Sequence, residues 1–337
     1  MTGPRLLIFH PCEILRIGRR PIPGPIGEVE PLRISKNIAY TLMVLAAVMW
    51  GTSGTLTVLA IDDGATTSVI ALYSEIFSAA MFFAVICLFD RPALKIKRED
   101  LLPFLLFSTV TGSLFSVAWY NCIDMTSITT AVILLCSYPS IVTVASVFLL
   151  GEKMTLAKMV ALPVTFIGCI LVSEAYDTEA IRLNAVGVGL GVFTAFGATT
   201  YYIYGKKFLK RYTPNTVALY FSAMMLPALL VITDPRKSLL PSLSFNAWML
   251  VFLIALIPCT IGFFMSMVAL KRIEASKASI MASIEPVAAV ALAVLIVAEV
   301  VTGLQMVGVA LVIAGIVILR IVRREDDNAP VEAPAKR

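Results

Sequence analysis

Two acidic side chains, Glu75 and Glu285, occur deep within long apolar segments of this chain. A charged side chain near the middle of a bilayer costs about 2.5 to 3.5 kcal/mol on insertion scales, so such residues usually face a cavity or the interior of a helix bundle. Glu285 could bind a cationic group or a proton, or could accept hydrogen bonds from neighbouring helices, and both hypotheses stay open. Glu75 is expected to be neutral or to exchange a proton, because burial disfavours its charged form, and a direct role in transport stays open.

Aromatic residues also lie inside the apolar segments. Trp50 and Tyr138 are far from the segment ends, where Trp and Tyr commonly form the interfacial belt, and Tyr201 is a further candidate. We therefore expect a substrate path along Trp50, Glu75, Tyr138, Tyr201 and Glu285.

Two prolines, Pro139 and Pro286, also lie inside apolar segments. Each removes a backbone hydrogen bond and can bend its helix. Transporters commonly place such interruptions beside a binding site at the middle of the membrane. A packing kink without a ligand is the alternative interpretation.

Other chemistry has little support. The only histidine, His10, precedes the apolar segments, so they hold no imidazole for metal binding or proton transfer. The six cysteines have no CxxC spacing and are typical of small buried residues. Neither a Ser/His/Asp set nor a GxxxxGK[ST] motif is present. We expect no catalytic residue, metal or cofactor, and an integral membrane enzyme is the weaker alternative.

The composition indicates a membrane protein. The chain is 59% hydrophobic with a mean hydropathy of +0.90, whereas soluble domains are about 45 to 50% apolar. A helix that spans a bilayer needs about 20 mainly apolar residues. Ten apolar stretches of about this length occur in the chain. They are Asn37–Leu59, Thr67–Phe89, Pro103–Ile123, Ser127–Leu150, Thr155–Val172, Ala185–Tyr204, Pro214–Ile232, Trp248–Leu270, Ala278–Val297 and Thr302–Ile321.

The basic residues orient these stretches. With the N-terminus inside, 24 of the 27 Lys and Arg residues fall on the cytoplasmic side and only Arg182, Arg236 and Lys237 fall outside. We therefore predict ten spans with both termini in the cytoplasm. The net charge of +5 lies where anionic lipid would attract it, so no nucleic-acid partner is expected.

An internal duplication is visible in the sequence. Residues 129–172 align without a gap to residues 276–319, 147 positions later, with nine identities. Among the identical pairs are Pro139 and Pro286, Glu152 and Glu299, Thr155 and Thr302, and Gly168 and Gly315. Five helices per copy is an odd number, so the second copy enters the membrane from the opposite face. The predicted fold is all-α, with ten transmembrane helices in two inverted five-helix repeats.

This organisation divides the chain into four parts. Residues 1–36 form a flexible cytoplasmic tail, because proline and glycine recur there. Residues 37–172 and 185–321 form the two repeats, and 322–337 a second cytoplasmic tail. At the turn before the last helix of each repeat, Thr155 or Thr302 is expected to cap the helix, and Glu152 and Glu299 are interpreted as turn residues rather than catalytic ones.

These features resemble the drug/metabolite transporter superfamily, specifically its EamA-type ten-helix carriers. Trp50-Gly51 is similar to the opening signature of that family, and Glu285-Pro286 through Glu299, Thr302, Gln305 and Gly308 is similar to its second-repeat signature. The resemblance covers about residues 37–321. It implies an inner-membrane carrier, often an exporter of amino acids or other small metabolites, with a central cavity between the repeats. Glu75 departs from the pattern, since related sequences often carry a basic residue in the second helix.

We therefore expect a secondary transporter that exports amino acids or related small metabolites by alternating access, with a small-molecule substrate, the lipid bilayer and a coupling proton or ion as its partners. The absence of Lys and Arg deep in the spans argues against phosphorylated substrates. The alternatives are a membrane enzyme and a carrier of another solute class, such as drugs or nucleosides.

Overall fold

The computed structural model describes residues 34–126, 131, 134–173, 184–233, 242–297 and 302–328. Within these ranges the chain forms helices and turns and contains no strand. Seven helices are long and apolar enough to cross a bilayer, and three shorter apolar helices accompany them. The prediction of an all-α, multi-pass membrane protein is confirmed at this level, and the ten-span inverted arrangement stays a prediction.

The helices follow the apolar stretches in order. Two of them, α3 and α8, contain π-helical turns, and α9 has two halves. Their bounds are α1 Lys36–Asp62, α2 Thr67–Phe89, α3 98–125 with its π turn at Thr109–Leu114, α4 Tyr138–Leu150, α5 Leu156–Val172, α6 Ala185–Leu209, α7 Pro214–Ile232, α8 Phe245–Arg272 with its π turn at Ala255–Gly262, α9 Ala275–Ala282 and Glu285–Val297, and α10 Gly303–Asn328.

Several helices extend beyond the predicted apolar stretches. Helix α6 continues to Leu209 and α10 to Asn328, so the part of the predicted C-terminal tail up to Asn328 is helical. The reason is that hydropathy marks the bilayer, whereas Lys, Arg and Glu are good helix formers that prolong a helix into water.

Side-chain caps fix several helix starts. The Thr155 hydroxyl accepts a hydrogen bond from the Lys158 backbone N at 3.4 Å. Thr302 and Gln305 form a reciprocal capping box, in which Thr302 N donates to Gln305 Oε1 at 2.8 Å and Gln305 N donates to Thr302 Oγ1 at 3.3 Å. Both predicted caps are therefore present.

Helices α5 and α10 pack with their backbones almost in contact. A Cβ atom on Gly308 would lie 2.8 Å from the Gly168 carbonyl oxygen, and one on Gly315 would lie 3.2 Å from the Ala161 carbonyl oxygen. Later residues of α10 therefore contact earlier residues of α5, so the two helices are antiparallel. Small residues allow this close approach.

Irregular turns recur at the spacing of the duplication. The π turn at Thr109–Leu114 falls 147 residues before positions inside the π turn at Ala255–Gly262. Two-residue turns at 136–137 and 283–284 precede α4 and the second half of α9 with the same offset. Helix interruptions of this kind often occur at functional sites.

Candidate functional site

Four aromatic side chains form a continuous row inside the bundle, here called the aromatic row: Trp50, Tyr201, Tyr202 and Tyr138. Trp50 meets Tyr201 edge-on with ring centroids 5.8 Å apart, and Tyr201 meets Tyr202 at 5.1 Å. Tyr202 stacks on Tyr138 at 5.7 Å. The structure thus brings together Trp50, Tyr138 and Tyr201 from the predicted site and adds Tyr202.

Glycines on two helices hold Trp50 in this position. A Cβ on Gly51 would lie 2.9 Å from the Glu285 carbonyl oxygen, so α1 packs directly against the interruption in α9. A Cβ on Gly262 would lie 3.3 Å from the Trp50 ring. The approach at Gly51 leaves no room for a larger residue and the one at Gly262 is tight, so Trp50 packs beside the start of the second half of α9.

Hydrogen bonds anchor the row at two phenols. The Tyr201 hydroxyl bonds to the Ser266 hydroxyl of α8. The Tyr138 hydroxyl donates to the Ser279 carbonyl oxygen in the first half of α9 at 3.4 Å. Helices of both predicted repeats therefore determine the positions of the rings.

Glu285 is the first residue of the second half of α9. Its carboxylate lies within electrostatic range of the phenols of Tyr138 and Tyr202. It is partly exposed, and its side chain has no hydrogen-bond or ion-pair partner among the described residues. A cationic group of a ligand could therefore bind the carboxylate without displacing a protein partner.

Both predicted kink positions lie at helix starts. Pro139 and Pro286 are the second residues of α4 and of the second half of α9. The turn before Pro286 is tightened rather than unwound, because Ser283 N and Ile284 N bond to carbonyls three residues earlier, at 3.2 and 3.4 Å. Two helix N-termini, each with a partial positive charge, thus begin beside Tyr138 and Glu285.

Glu75 has different neighbours. The Ser222 hydroxyl of α7 and the Cys259 thiol of α8 are its hydrogen-bonding partners, and neither belongs to the aromatic row. The Ser78 hydroxyl, one turn along α2, lies 3.4 Å from the Ser222 hydroxyl and accepts from Thr260 at 3.0 Å. Glu75 therefore belongs to a hydroxyl-rich environment of its own.

A partly buried ionic cluster, here called the α5–α9 cluster, joins Glu152, Lys158, Glu274 and Ser276. The Glu152 carboxylate accepts from Ala275 N at 2.6 Å, from Ser276 N at 3.2 Å and from the Ser276 hydroxyl, so it caps the first half of α9. Lys158 is fully buried, and its Nζ lies 2.7 Å from Glu274 and 3.5 Å from Glu152. The turn-residue interpretation of Glu152 was incomplete, because this carboxylate caps a helix 123 positions away.

Charge sets the protonation state of Glu274. Burial raises the pKa of this carboxyl, but the hydrogen bond from Lys158 and the charge of Lys277 outweigh burial, and the net pKa lies below its usual value. Glu274 therefore stays ionised at neutral pH.

A second connection lies at the same end of the bundle. Tyr212 donates to Asp100 at 2.6 Å, and Arg211 Nη1 lies 3.0 Å from the same carboxylate. Burial and the hydrogen bond to Asp100 raise the pKa of Tyr212 to about 12. Both contacts join α3 to the turn between α6 and α7.

Some predicted features lie outside the described residues. These are Glu299, residues 1–33, and most of the external segment between the predicted repeats. Sequence reasoning also missed the partners of the site, Tyr202, Ser222 and Ser266. One signal was available for Ser222, since it lies 147 positions after Glu75 and is its counterpart at the duplication offset.

Comparisons with known proteins agree with the fold. The profile of the EamA-like transporter family matches residues 37–174 and again residues 185–321. An uncharacterized transporter of Archaeoglobus fulgidus is 25% identical over 284 residues, which are 82% of this chain and 94% of that protein. The uncharacterized transporter YwfM of Bacillus subtilis is 25% identical over 300 residues, 87% of this chain and 98% of that protein.

A solved crystal structure of a protein superposes with a TM-score of 0.73 at 16% identity, covering 87% of this chain and 100% of the other. At this identity the likeness concerns the fold alone.

Proposed function

The chain belongs to the EamA-like transporter family, and we propose that it is a secondary transporter that exports amino acids or related amine-bearing metabolites by alternating access. Its partners are then a small-molecule substrate and the lipid bilayer, with a proton or another ion driving transport. The observation that carries the proposal is the Glu285 carboxylate, which lies unpaired among the described residues beside the aromatic row.

The charges around Glu285 are complementary to a zwitterion. The carboxylate suits an ammonium group, and the faces of Tyr138 and Tyr202 add cation–π attraction. The two helix N-termini that begin at this level favour a carboxylate, as half-helix N-termini do in other transporters. An amino acid carries both groups on adjacent atoms.

The aromatic row also suits flat rings, which favours aromatic side chains on the substrate. Drugs and nucleosides are the alternative solutes for the same reason. Phosphorylated solutes are disfavoured, because no Lys or Arg lies deep in the spans.

For the architecture, we propose ten spans in two inverted repeats, 37–172 and 185–321. The antiparallel packing of α5 on α10 supports this, since these helices are equivalent at the 147-residue offset and run in opposite directions. The recurrence of the π turns at that offset supports it as well. Alternating access would then exchange the conformations of the repeats around Glu285.

The proposed location is the inner membrane, with both termini cytoplasmic, as the charge distribution favours. In this orientation the α5–α9 cluster and the Asp100–Tyr212 contact lie at the cytoplasmic end. Both join the two predicted repeats, so an inward-open state requires them to separate.

The test measures the thermal unfolding of purified protein against a panel of amino acids, nucleosides and phosphorylated metabolites, because a ligand that binds only the folded state raises Tm. We expect a selective shift with an amino acid, lost in Glu285→Gln and kept in the exposed-site control Glu99→Gln. Counterflow of the shifting solute in liposomes then tests transport. A shift with nucleosides alone, or with phosphorylated solutes alone, would refute the amino-acid assignment.

A further inference from the structure

Glu75 has one carboxylate oxygen, Oε2, that is buried and accepts no hydrogen bond from the residues that the structure describes. An ionised oxygen without water or a donor is costly in an apolar interior, by several kcal/mol. The oxygen therefore needs a proton or a bound cation.

The groups around Glu75 are oxygen-rich and uncharged. Three hydroxyls lie close together, since Ser78 Oγ is 3.4 Å from Ser222 Oγ and 3.0 Å from Thr260 Oγ1. Ser78 also donates to the Cys259 carbonyl oxygen at 3.2 Å. Carboxylate, hydroxyl and carbonyl oxygens are the ligands that hard cations prefer.

The long helices packed against α2 have no basic residue in their apolar parts, and the short helix Arg91–Leu94 at the far end of α2 has Arg91, whose Nε donates to the Cys87 carbonyl oxygen. Residues 37–59 of α1, 214–232 of α7 and 245–270 of α8 contain no Lys, Arg, His, Asp or Glu. Among the described residues, the titratable group in contact with Glu75 is the Cys259 thiol of α8. A small cation from solution could therefore balance the negative charge of Glu75 without displacing a basic side chain of these helices.

A cavity with polar side chains in its wall opens at the end of the bundle where α2 begins. Its volume is about 170 Å³, and it lies between α2, α3 and α7. Ala71 in its wall is one helical turn before Glu75, or about 6 Å along the axis. By the predicted orientation this is the outer end. The polar residues of the wall are Thr67, Ser68, Ser116, Asn121 and Thr233.

From these observations we propose that Glu75, with the hydroxyls of Ser78, Ser222 and Thr260, is a site for a small monovalent cation, either a proton or Na⁺, that enters through this cavity. The site is separate from Glu285 and has other helices around it. That the cation drives export rests on the proposed function; that it binds at Glu75 does not.

Labelling with dicyclohexylcarbodiimide tests the site without a substrate, because this reagent modifies protonated carboxyl groups in apolar surroundings. Labelling of Glu75 is measured by peptide mass spectrometry in the wild-type protein. The pH is varied from about 6 to about 9, across which buried carboxyls can titrate, in NaCl and in matched KCl.

A proton site predicts labelling of Glu75 that falls about tenfold per pH unit above its midpoint, equally in both salts. A sodium site predicts slower labelling in NaCl than in KCl at one pH. Labelling of Glu75 that is independent of both pH and Na⁺, or no labelling of Glu75 in conditions where Glu285 is labelled, would overturn the proposal.

Two variants act as controls. Glu285→Gln should leave labelling at Glu75 unchanged, which separates the two sites. In the exchange variant Glu75→Ser/Ser222→Glu, labelling should move to position 222, because these positions contact each other. Solute transport without cation-dependent labelling would leave the proposed function standing and refute only the cation site. Cation-dependent labelling of Glu75 without solute transport would support the cation site and refute the proposed function.

Discussion

Replacing Glu152 by Gln should destabilise the protein far more than removing an exposed carboxylate. The Glu152 side chain is only 7% exposed, and it accepts hydrogen bonds from two backbone N–H groups and the Ser276 hydroxyl. Gln keeps the shape but turns one acceptor into a donor that faces other donors. The substitution therefore removes charge-assisted bonds and leaves the N-terminus of α9 poorly capped.

The magnitude follows from these contacts. Hydrogen bonds to charged groups contribute about 1.5 to 3 kcal/mol each, and loss of a helix cap costs about 1 kcal/mol. In the variant, the buried Lys158 Nζ still has two partners, the Glu274 carboxylate at 2.7 Å and the Lys153 carbonyl oxygen at 2.8 Å. Its positive charge therefore remains partly balanced. We expect a loss of about 2 to 4 kcal/mol in the free energy of unfolding.

The matched control is Glu99→Gln. Glu99 pairs with Lys97 at 3.4 Å, but the two side chains are 66% and 46% exposed. Such surface pairs contribute about 0 to 1 kcal/mol. The measurement is the free energy of unfolding in mixed micelles, from the denaturant midpoint and slope of each variant. Equal losses for Glu152→Gln and Glu99→Gln would refute the argument that the α5–α9 cluster contributes to stability.

The same substitution tests the connection to transport. If the bonds exist only while the proposed cytoplasmic end is closed, losing about 2 to 4 kcal/mol shifts the ratio of open to closed forms by roughly 30- to 900-fold. Accessibility of the inner end to a water-soluble thiol reagent should then rise in Glu152→Gln and stay unchanged in Glu99→Gln. Unchanged accessibility in both variants would mean that the cluster stabilises the protein without acting as a gate.

Three further outcomes are expected. Gly308→Ala should lower the free energy of unfolding by about 1 to 3 kcal/mol, because its Cβ would lie 2.7 Å from a backbone nitrogen of α5. Gly303→Ala should be nearly neutral, since no atom lies within 4 Å of its added Cβ. Thermal unfolding of both variants checks this. The pKa of Glu274 is lowered from 4.5 in the folded protein. Its contribution to stability is therefore present above pH 4.5 and is lost as the pH falls through the folded-state pKa. From about pH 5 to about pH 3, the unfolding midpoint should decline less steeply in Glu274→Gln than in the wild-type protein. Asp100→Asn should cost about 1 kcal/mol, because the Asn oxygen can still accept from Tyr212 and the Arg211 side chain is 61% exposed, so the lost ion pair contributes little. A loss above about 3 kcal/mol in chemical unfolding would contradict this expectation.

The fold was predictable where it depends on composition and periodic signals. Uninterrupted apolar stretches located the helices, and Thr155 and Thr302 marked two helix starts correctly. Helix ends were placed less well, because Lys206 and Lys207 extend α6 beyond the apolar stretch. Hydropathy contains no information about where a helix stops in water.

The sequence identified which unusual residues belong to the candidate site, but it did not predict how they lie relative to one another. Trp50, Tyr138 and Tyr201 meet in one row, but Glu75 has partners of its own, and no local pattern distinguishes the two cases. The capping of α9 by Glu152 depends on how the predicted repeats pack, and that packing is set by small residues such as Gly168 and Gly308. Contacts between residues more than 100 positions apart leave no periodic signal in a single sequence.

At the offset of the predicted duplication, each of the two deep carboxylates has a hydroxyl-bearing counterpart, Ser222 for Glu75 and Tyr138 for Glu285. Glu75 is hydrogen-bonded to Ser222, and Glu285 lies within electrostatic range of Tyr138, so both pairs are expected near the axis that would relate the proposed repeats. An identical pair of carboxylates at such a position would repel each other in an apolar interior, and only one could ionise. A carboxylate opposite a hydroxyl avoids that repulsion and leaves one negative charge. Two identical carboxylates near the axis of the proposed repeats would therefore be poorly suited to binding a single cation, so the proposed cation site requires the two copies to differ at this position.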